Sequence, residues 1–166
     1  KVDFTPDTAA IKSLARLGLT FRVKDTFGKV EYNGRGDIET YNDRKAAGFI
    51  GHYKTTAEAM FHYYVKPKAT GNRTDVRWMS LSDTRNRLMV AAKSPFQFSV
   101  TPFSDSVIDR ATHINQLSRD GLLTVHLDAN QSGVGTATCG PGVAEKYRVS
   151  VKPTSFEFVL YPAMAK

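Results

Sequence analysis

The chain holds one cysteine, Cys139, in the stretch SGVGTATCGPG of residues 132–142, among four glycines and a proline. A thiol there could serve as a nucleophile, a metal ligand, a packing residue or part of a binding rim. A nucleophilic cysteine needs a histidine or a helix N-terminus to lower its pKa. No histidine is near in sequence, and no helix signal follows CGPGV. The segment GVGTATCG also looks like a phosphate loop, but it lacks the Lys-Ser/Thr pair and the strand-to-helix context that aim backbone N–H groups at phosphate. The four histidines, His52, His62, His113 and His126, have no metal-ligand spacing, and one cysteine excludes a cysteine-rich zinc site. No metal or cofactor is expected in this chain. Glycoside hydrolysis needs two carboxyl groups about 5–10 Å apart. Asp and Glu are plentiful, but their order alone pairs none of them. A glycine-rich loop lets another backbone or a ligand come close, and that is the reading the residues leave for 132–142.

The elements that must carry this loop are strands. LARLGLTFRVK (14–24) alternates with a period of two and reads as a half-buried strand, with GKVEYNG (28–34) as its hairpin partner. Further strands are expected at 47–56, 61–67, 74–82, 86–92, 96–103, 121–129, 146–152 and 155–163. The one short helix is SDSVIDRATH (104–113), capped by Ser104 or Asp105, with Val107, Ile108 and Ala111 on its apolar side and His113 at its end. His52 and His126 fall on strands and read as hydrogen-bonded structural residues. Segment 6–15 fits an extended arm or one helical turn. Many short strands separated by Gly, Pro, Asn and Asp predict an all-β sandwich or barrel. With no internal repeat or linker, 1–166 reads as one domain.

Composition narrows the function classes. A chain of 166 residues with 41% hydrophobic content can bury a core without disulfides. No apolar run approaches the ~20 residues of a membrane helix, so no membrane partner is expected. The start KVDFTPDTAA has no signal-peptide core and no initiator Met, which suggests a cut or processed chain. A single thiol fits a reducing, cytoplasmic setting or simply a fold that needs no staple, with a periplasmic location as the alternative. The net charge is +7, but YNDRKAAG, GNRTDVRW and SDTRNRLM mix both signs, so no nucleic-acid partner is expected. NRT at Asn72 and NQS at Asn130 match a glycosylation pattern that is frequent by chance.

Four stretches in register resemble one known family. NGRGDIETYNDR (33–44) resembles the GRG-P-x-E-N-Y-x-D-R signature of the C-terminal, or small-chain, domain of family-two β-galactosidases, with Asp37 and Thr40 in place of Pro and Asn. YVKPKATGNRTDVRWMSL (64–81) is similar to Y-V-x-P-x-E-N-G-N-R-T-D-V-R-W, with Ala69 and Thr70 in place of Glu and Asn. FSVTPFS (98–104) followed by ATH (111–113) resembles a third segment. HLDANQSGVGTATCGPGV (126–143) resembles N-L-D-x-x-Q-M-G-V-G-G-D-x-S-W-G-P-x-V.

The resemblance implies a twisted antiparallel β-sandwich of the galactose-mutarotase-like, supersandwich type. The chain would be the latter part of that C-terminal domain. It implies retaining hydrolysis of terminal β-galactosides such as lactose, with the catalytic glutamates in a separate (β/α)₈ barrel and no catalytic residue here. Such a barrel takes ~200 residues or more. The implied partners are that barrel, the other domains of an oligomeric parent, and the galactoside at the rim of its site. Family members present a Trp from the glycine-rich loop to the aglycone sugar. Cys139 stands at that position, one residue short, with Thr136 and Ala137 replacing Gly-Asp. Cys139, Thr138 and Gly140 are therefore the expected substrate-contacting residues. Arg44, Arg73 and Arg77 are expected to pair with Asp43, Asp75 or Glu39, or to donate to loop carbonyls, as scaffold, and Trp78 to sit in the core. The alternative is a stand-alone carbohydrate-binding module, with Tyr53, Tyr63 and Tyr64 as its aromatic row. A mutarotase-like epimerase would need a converging acid and base, and the sequence identifies no such pair.

Overall fold

Alternation with a period of two decides most of the chain. A computed structural model describes residues 1–7, 11–135 and 140–165. The strands are β1 (Val2–Phe4), β2 (Ser13–Leu14), β3 (Arg16–Lys24), β4 (Lys29–Gly36), β5 (Phe49–Thr56), β6 (Arg73–Ser82), β7 (Asn86–Thr101), β8 (Leu122–Gln131), β9 (Val149–Ser150), β10 (Thr154–Phe156) and β11 (Val159–Met164). Two short helices interrupt them, α1 (Ala57–Met60) and α2 (Asp105–Arg110). The fold is all-β and antiparallel, as the sequence predicts. Seven strands form one large sheet in the order β3-β8-β7-β6-β4-β5, with β11 paired to β7; β1–β10 and β2–β9 form two small ladders.

The expected 14–24/28–34 hairpin does not form. β3 pairs β8, from Arg16↔Gln131 to Lys24↔Leu122, while β4 lies between β5 and β6. Four strand spacings separate β3 from β4, about 19 Å in a flat sheet. The link between Lys24 and Lys29 is mostly the 3-10 turn Asp25–Phe27, which with ~2 Å rise per residue reaches only about 13 Å. The sheet must therefore curl, and it closes over a shared core. Val30, Tyr32, Met79, Leu81, Phe98, Val100, Val125 and Leu127 are all buried in that core, with Phe21 and Tyr53 against it. Each such side chain contributes roughly 1.5–3 kcal/mol by leaving water.

Other departures have local causes. The expected 86–92 and 96–103 strands are one 16-residue strand, β7. Its register on β6 slips between Trp78↔Ala91 and Val76↔Phe96. That bulge puts Val76 on the core face with Met79, and leaves Trp78 on the outer face, half-buried with its ring edge-on to His52 at 5.3 Å. Trp78 is thus not a core residue. The expected strand 61–67 is a loop after α1: Phe61 packs on Phe103 in a second small cluster with Ile108, and Tyr63 and Tyr64 turn to Glu58 and Glu39. Of 146–152 only Val149–Ser150 is strand, preceded by the 3-10 turn Glu145–Tyr147. The segment 155–163 is divided between β10 and β11. Ser104 caps α2 by accepting the Val107 N–H, and Ile108 is buried as expected. The helix ends at Arg110, so His113 instead caps the 3-10 turn Ile114–Gln116.

The other face of β7 and β8 is polar and also buried. Gln97, Ser99 and Thr101 stand beside Asp128, His126 and Thr124 in register. α2 covers part of this face, with Asp105 reaching His126 Nε2 at 3.0 Å.

Candidate functional site

The glycine-rich loop leaves the sheet at the end of β8 and returns toward Glu145–Tyr147. At its neck, the Ser132 N–H donates to the Ala15 carbonyl and the Gly133 N–H to the Tyr147 carbonyl, each at 2.9 Å. Gly135 has φ +60°, and a Cβ there would lie 2.8 Å from the Val143 nitrogen. Outgoing and returning chain touch at that point, and only glycine allows the approach. On the returning side, Arg148 Nε donates to the Val143 carbonyl at 2.9 Å. Cys139 and Thr138 lie outside the described residues. Gly140 is described and exposed.

The neck is held from the side by the segment Glu39–Arg44. The Asp43 carboxylate accepts the N–H groups of Val134 at 3.0 Å and Gly135 at 2.7 Å. Bonds from backbone donors to a charged acceptor are stronger than neutral ones. Gly133 is needed for this fit, since a Cβ there would stand 2.4 Å from Asp43 Cγ. Beside it, Asn42 Nδ2 donates to Asn130 Oδ1 at 2.8 Å and to the Gln131 carbonyl at 2.6 Å. Gln97 Nε2 donates to Asn42 Oδ1 at 3.0 Å and to Asn130 Oδ1 at 3.3 Å, and Gln97 Oε1 accepts from Asn72 Nδ2 at 2.8 Å. Asn72, 1% exposed, also donates to the Thr40 carbonyl. A relay of amides thus runs from the interior of the sheet to the root of the loop. Asn72 and Asn130, the two glycosylation matches, are both members of it.

Carboxylates around the relay are committed to structure. Burial pushes Glu39 up, but the Gly71 N–H, the Tyr64 and Tyr41 hydroxyls and Arg44 outweigh it and hold the carboxyl below its ordinary value. Burial, with Glu39 beside it, pushes the Tyr41 hydroxyl well up. Asp75 is likewise held low: burial opposes, while Arg35 at 2.7 Å and Lys45 at 3.2 Å prevail. Burial raises Asp128 despite Arg16 at 2.9 Å, and Arg16 also donates to Gln131 at 3.1 Å. The His126 ring holds Asp105 low, and its Nδ1 faces Thr20 Oγ1 at 2.9 Å. His52 faces Glu31 at 2.7 Å. Both histidines are hydrogen-bonded structural residues. Among the described residues, no group of three or more His, Cys, Asp or Glu could hold a metal ion.

The expected pairings hold in part. Arg44 reaches Glu39 at 3.5 Å. Arg73, buried, takes the other expected course and donates to the Gly71, Asn72 and Asp37 carbonyls, with the Tyr32 hydroxyl beside them. Exposed Arg77 likewise donates to a carbonyl, that of Asp75. Asp43, expected to face an arginine, serves backbone N–H groups instead. The available signal was the loop itself, because successive glycine-rich N–H groups make a concavity that an anion fills. Tyr53, Tyr63 and Tyr64 form no aromatic row: Tyr53 stacks on core Tyr32 at 5.3 Å, and the other two are bonded to separate glutamates.

The family model for the beta galactosidase small chain matches residues 1–160. The chain belongs to that family. It is 28% identical over 147 residues to a beta-galactosidase of Staphylococcus xylosus, covering 89% of this chain and 15% of the relative. It is 29% identical to one of Actinobacillus pleuropneumoniae over 89% of this chain and 14% of the relative. It is 32% identical to one of Kluyveromyces lactis over 87% of this chain and 14% of the relative. The small-chain segment thus spans about 15% of the length of such relatives.

Proposed function

We propose that this chain is a non-catalytic part of a retaining β-galactosidase and lends its glycine-rich loop to the acceptor side of the active site. The carrying observation is the build of the loop neck. A carboxylate and two asparagines fix where the loop leaves the sheet, and an arginine holds its return, so the loop is presented in one defined place. In a retaining enzyme one carboxylate takes the galactosyl group and a second acts as acid, then base. This reading puts both in the parent's barrel and gives this chain only the shaping of the space where the leaving sugar departs and water or another alcohol enters. Cys139, Thr138 and Gly140 are the contacting residues in this reading. A thiol is small and soft, where an indole offers an apolar face to sugar C–H groups. The acceptor space is thus roomier and holds a sugar less tightly than in relatives with Trp.

The test is Cys139→Trp in the intact enzyme. The apparent KM for glucosyl and nitrophenyl leaving groups, and the ratio of transfer to hydrolysis with added glucose, should both shift. Unchanged values in a folded variant would refute the acceptor-side role.

A further inference from the structure

We propose that Asp43 is the positioning residue of the acceptor-side loop. It sits on a different segment from every expected contact residue, and among the described residues it meets the loop through backbone N–H groups. The inference rests on the loop reading above and adds what aims the loop. Three observations support it. Among the described residues, the Asp43 carboxylate accepts from two consecutive N–H groups, Val134 at 3.0 Å and Gly135 at 2.7 Å, where the loop leaves the sheet. Gly133 leaves no room for a Cβ against that carboxylate, so loop and acid are fitted to each other. The backbone just before Asp43 is itself fixed, by Asn42 to Asn130 and Gln131 and by the Tyr41–Arg44 backbone pair at 2.9 and 3.0 Å. An acid on a fixed mount orients two successive peptide planes. That fixes the backbone at the point where the glycine-rich loop leaves the sheet. A loop end 1 Å out of place can cost a binding group much of its effect.

The specificity consequence is selective. Asp43→Asn keeps the size of the side chain but turns one acceptor into a donor facing an N–H. Hydrogen bonds to charged groups are the stronger class, so the apparent KM for an added alcohol acceptor should rise about tenfold. The kcat extrapolated to saturating acceptor should change far less. Asp43→Glu, which keeps the carboxylate, should recover a good part of the loss. The experiment is transfer to glucose or a simple alcohol, against hydrolysis, in the full-length enzyme that contains this chain. Hydrogen exchange of the Val134 and Gly135 amides in the unmutated enzyme is read alongside. Slow exchange at both amides and a KM effect rescued by Glu establish the role. Fast exchange at both overturns it whether or not the variants fold. A loss of kcat and stability with no KM split, and no rescue by Glu, overturns it too, since that marks a merely structural acid. If Cys139→Trp shifts acceptor use and Asp43→Asn does not, the positioning assignment fails while the loop reading stands. If neither shifts it, both fail.

Discussion

Removing Gln97 should uncouple the sheet interior from the loop root, and the cost can be worked from three distances. Gln97, 6% exposed, accepts from Asn72 at 2.8 Å and donates to Asn42 at 3.0 Å and Asn130 at 3.3 Å. At ~0.5–1.5 kcal/mol net per bond, and more where a buried partner is left unpaired, Gln97→Ala should cost about 3 kcal/mol. Unfolding entropy of ~2.1 cal/mol/K per residue gives about 350 cal/mol/K here, so Tm should drop by about 9 °C. Asn42→Ala removes the bonds to Asn130 and Gln131 as well as the one to Gln97 and should cost about 2 kcal/mol. The two share one bond and one acceptor, Asn130 Oδ1. The double variant should therefore lose about 4 kcal/mol rather than 5, a coupling of about 1 kcal/mol. Urea unfolding followed by the fluorescence of Trp78, the only tryptophan, measures all four species. Additivity within about 0.3 kcal/mol would mean that the amides do not act as one relay.

Two further outcomes follow from the same geometry. Asp75 is held below its ordinary 3.8; its contribution is fully present above that pH and is lost as pH falls through the lower folded value, since the unfolded chain binds the proton first. The urea midpoint should therefore drop on acidification below about pH 4, and Asp75→Asn should flatten that drop; an unchanged slope would remove the Arg35–Asp75–Lys45 cluster from the account. Gly133→Ala forces a Cβ against Asp43, so the Val134 and Gly135 amides should lose hydrogen-exchange protection while those of Val125 and Leu127 keep theirs; retained protection at both loop amides would show that the neck relaxes around the methyl.

The sequence showed the strands more clearly than their partners. Alternation in 14–24 and 121–129 identifies both as strands, but period two carries no record of which strand lies beside which. The short link at 25–28 suggested a hairpin, and the curl that lets it cross the sheet is a property of the assembled core. The Val76 bulge defeated the inside-outside assignment of Trp78, because one slipped residue exchanges faces. In YNDR the residue types suggest scaffold, with the arginine facing a carboxylate or loop carbonyls, and say nothing of what the acid faces. The partner of Asp43 is backbone 91 and 92 residues away, and backbone leaves no mark in composition. The amide relay was hidden for a similar reason: Asn42, Asn72, Gln97 and Asn130 are unremarkable one by one, and only the fold brings them together.

The strand order also fixes a sequence of events. β1 pairs with β10, β2 with β9 and β3 with β8, so these three strands have their ladder partners in the last third of the chain. As the ribosome delivers the chain, β4, β5, β6 and β7 can associate early through near neighbours. The strands β1, β2 and β3 can pair only once β8 and then β9 and β10 have emerged. They then close inward from Lys24–Leu122 to Val2–Phe156, much as a zip is drawn from one end. The Ala15–Ser132 bond at the loop neck lies on that seam, so the site cannot be assembled before the closing strand is in place.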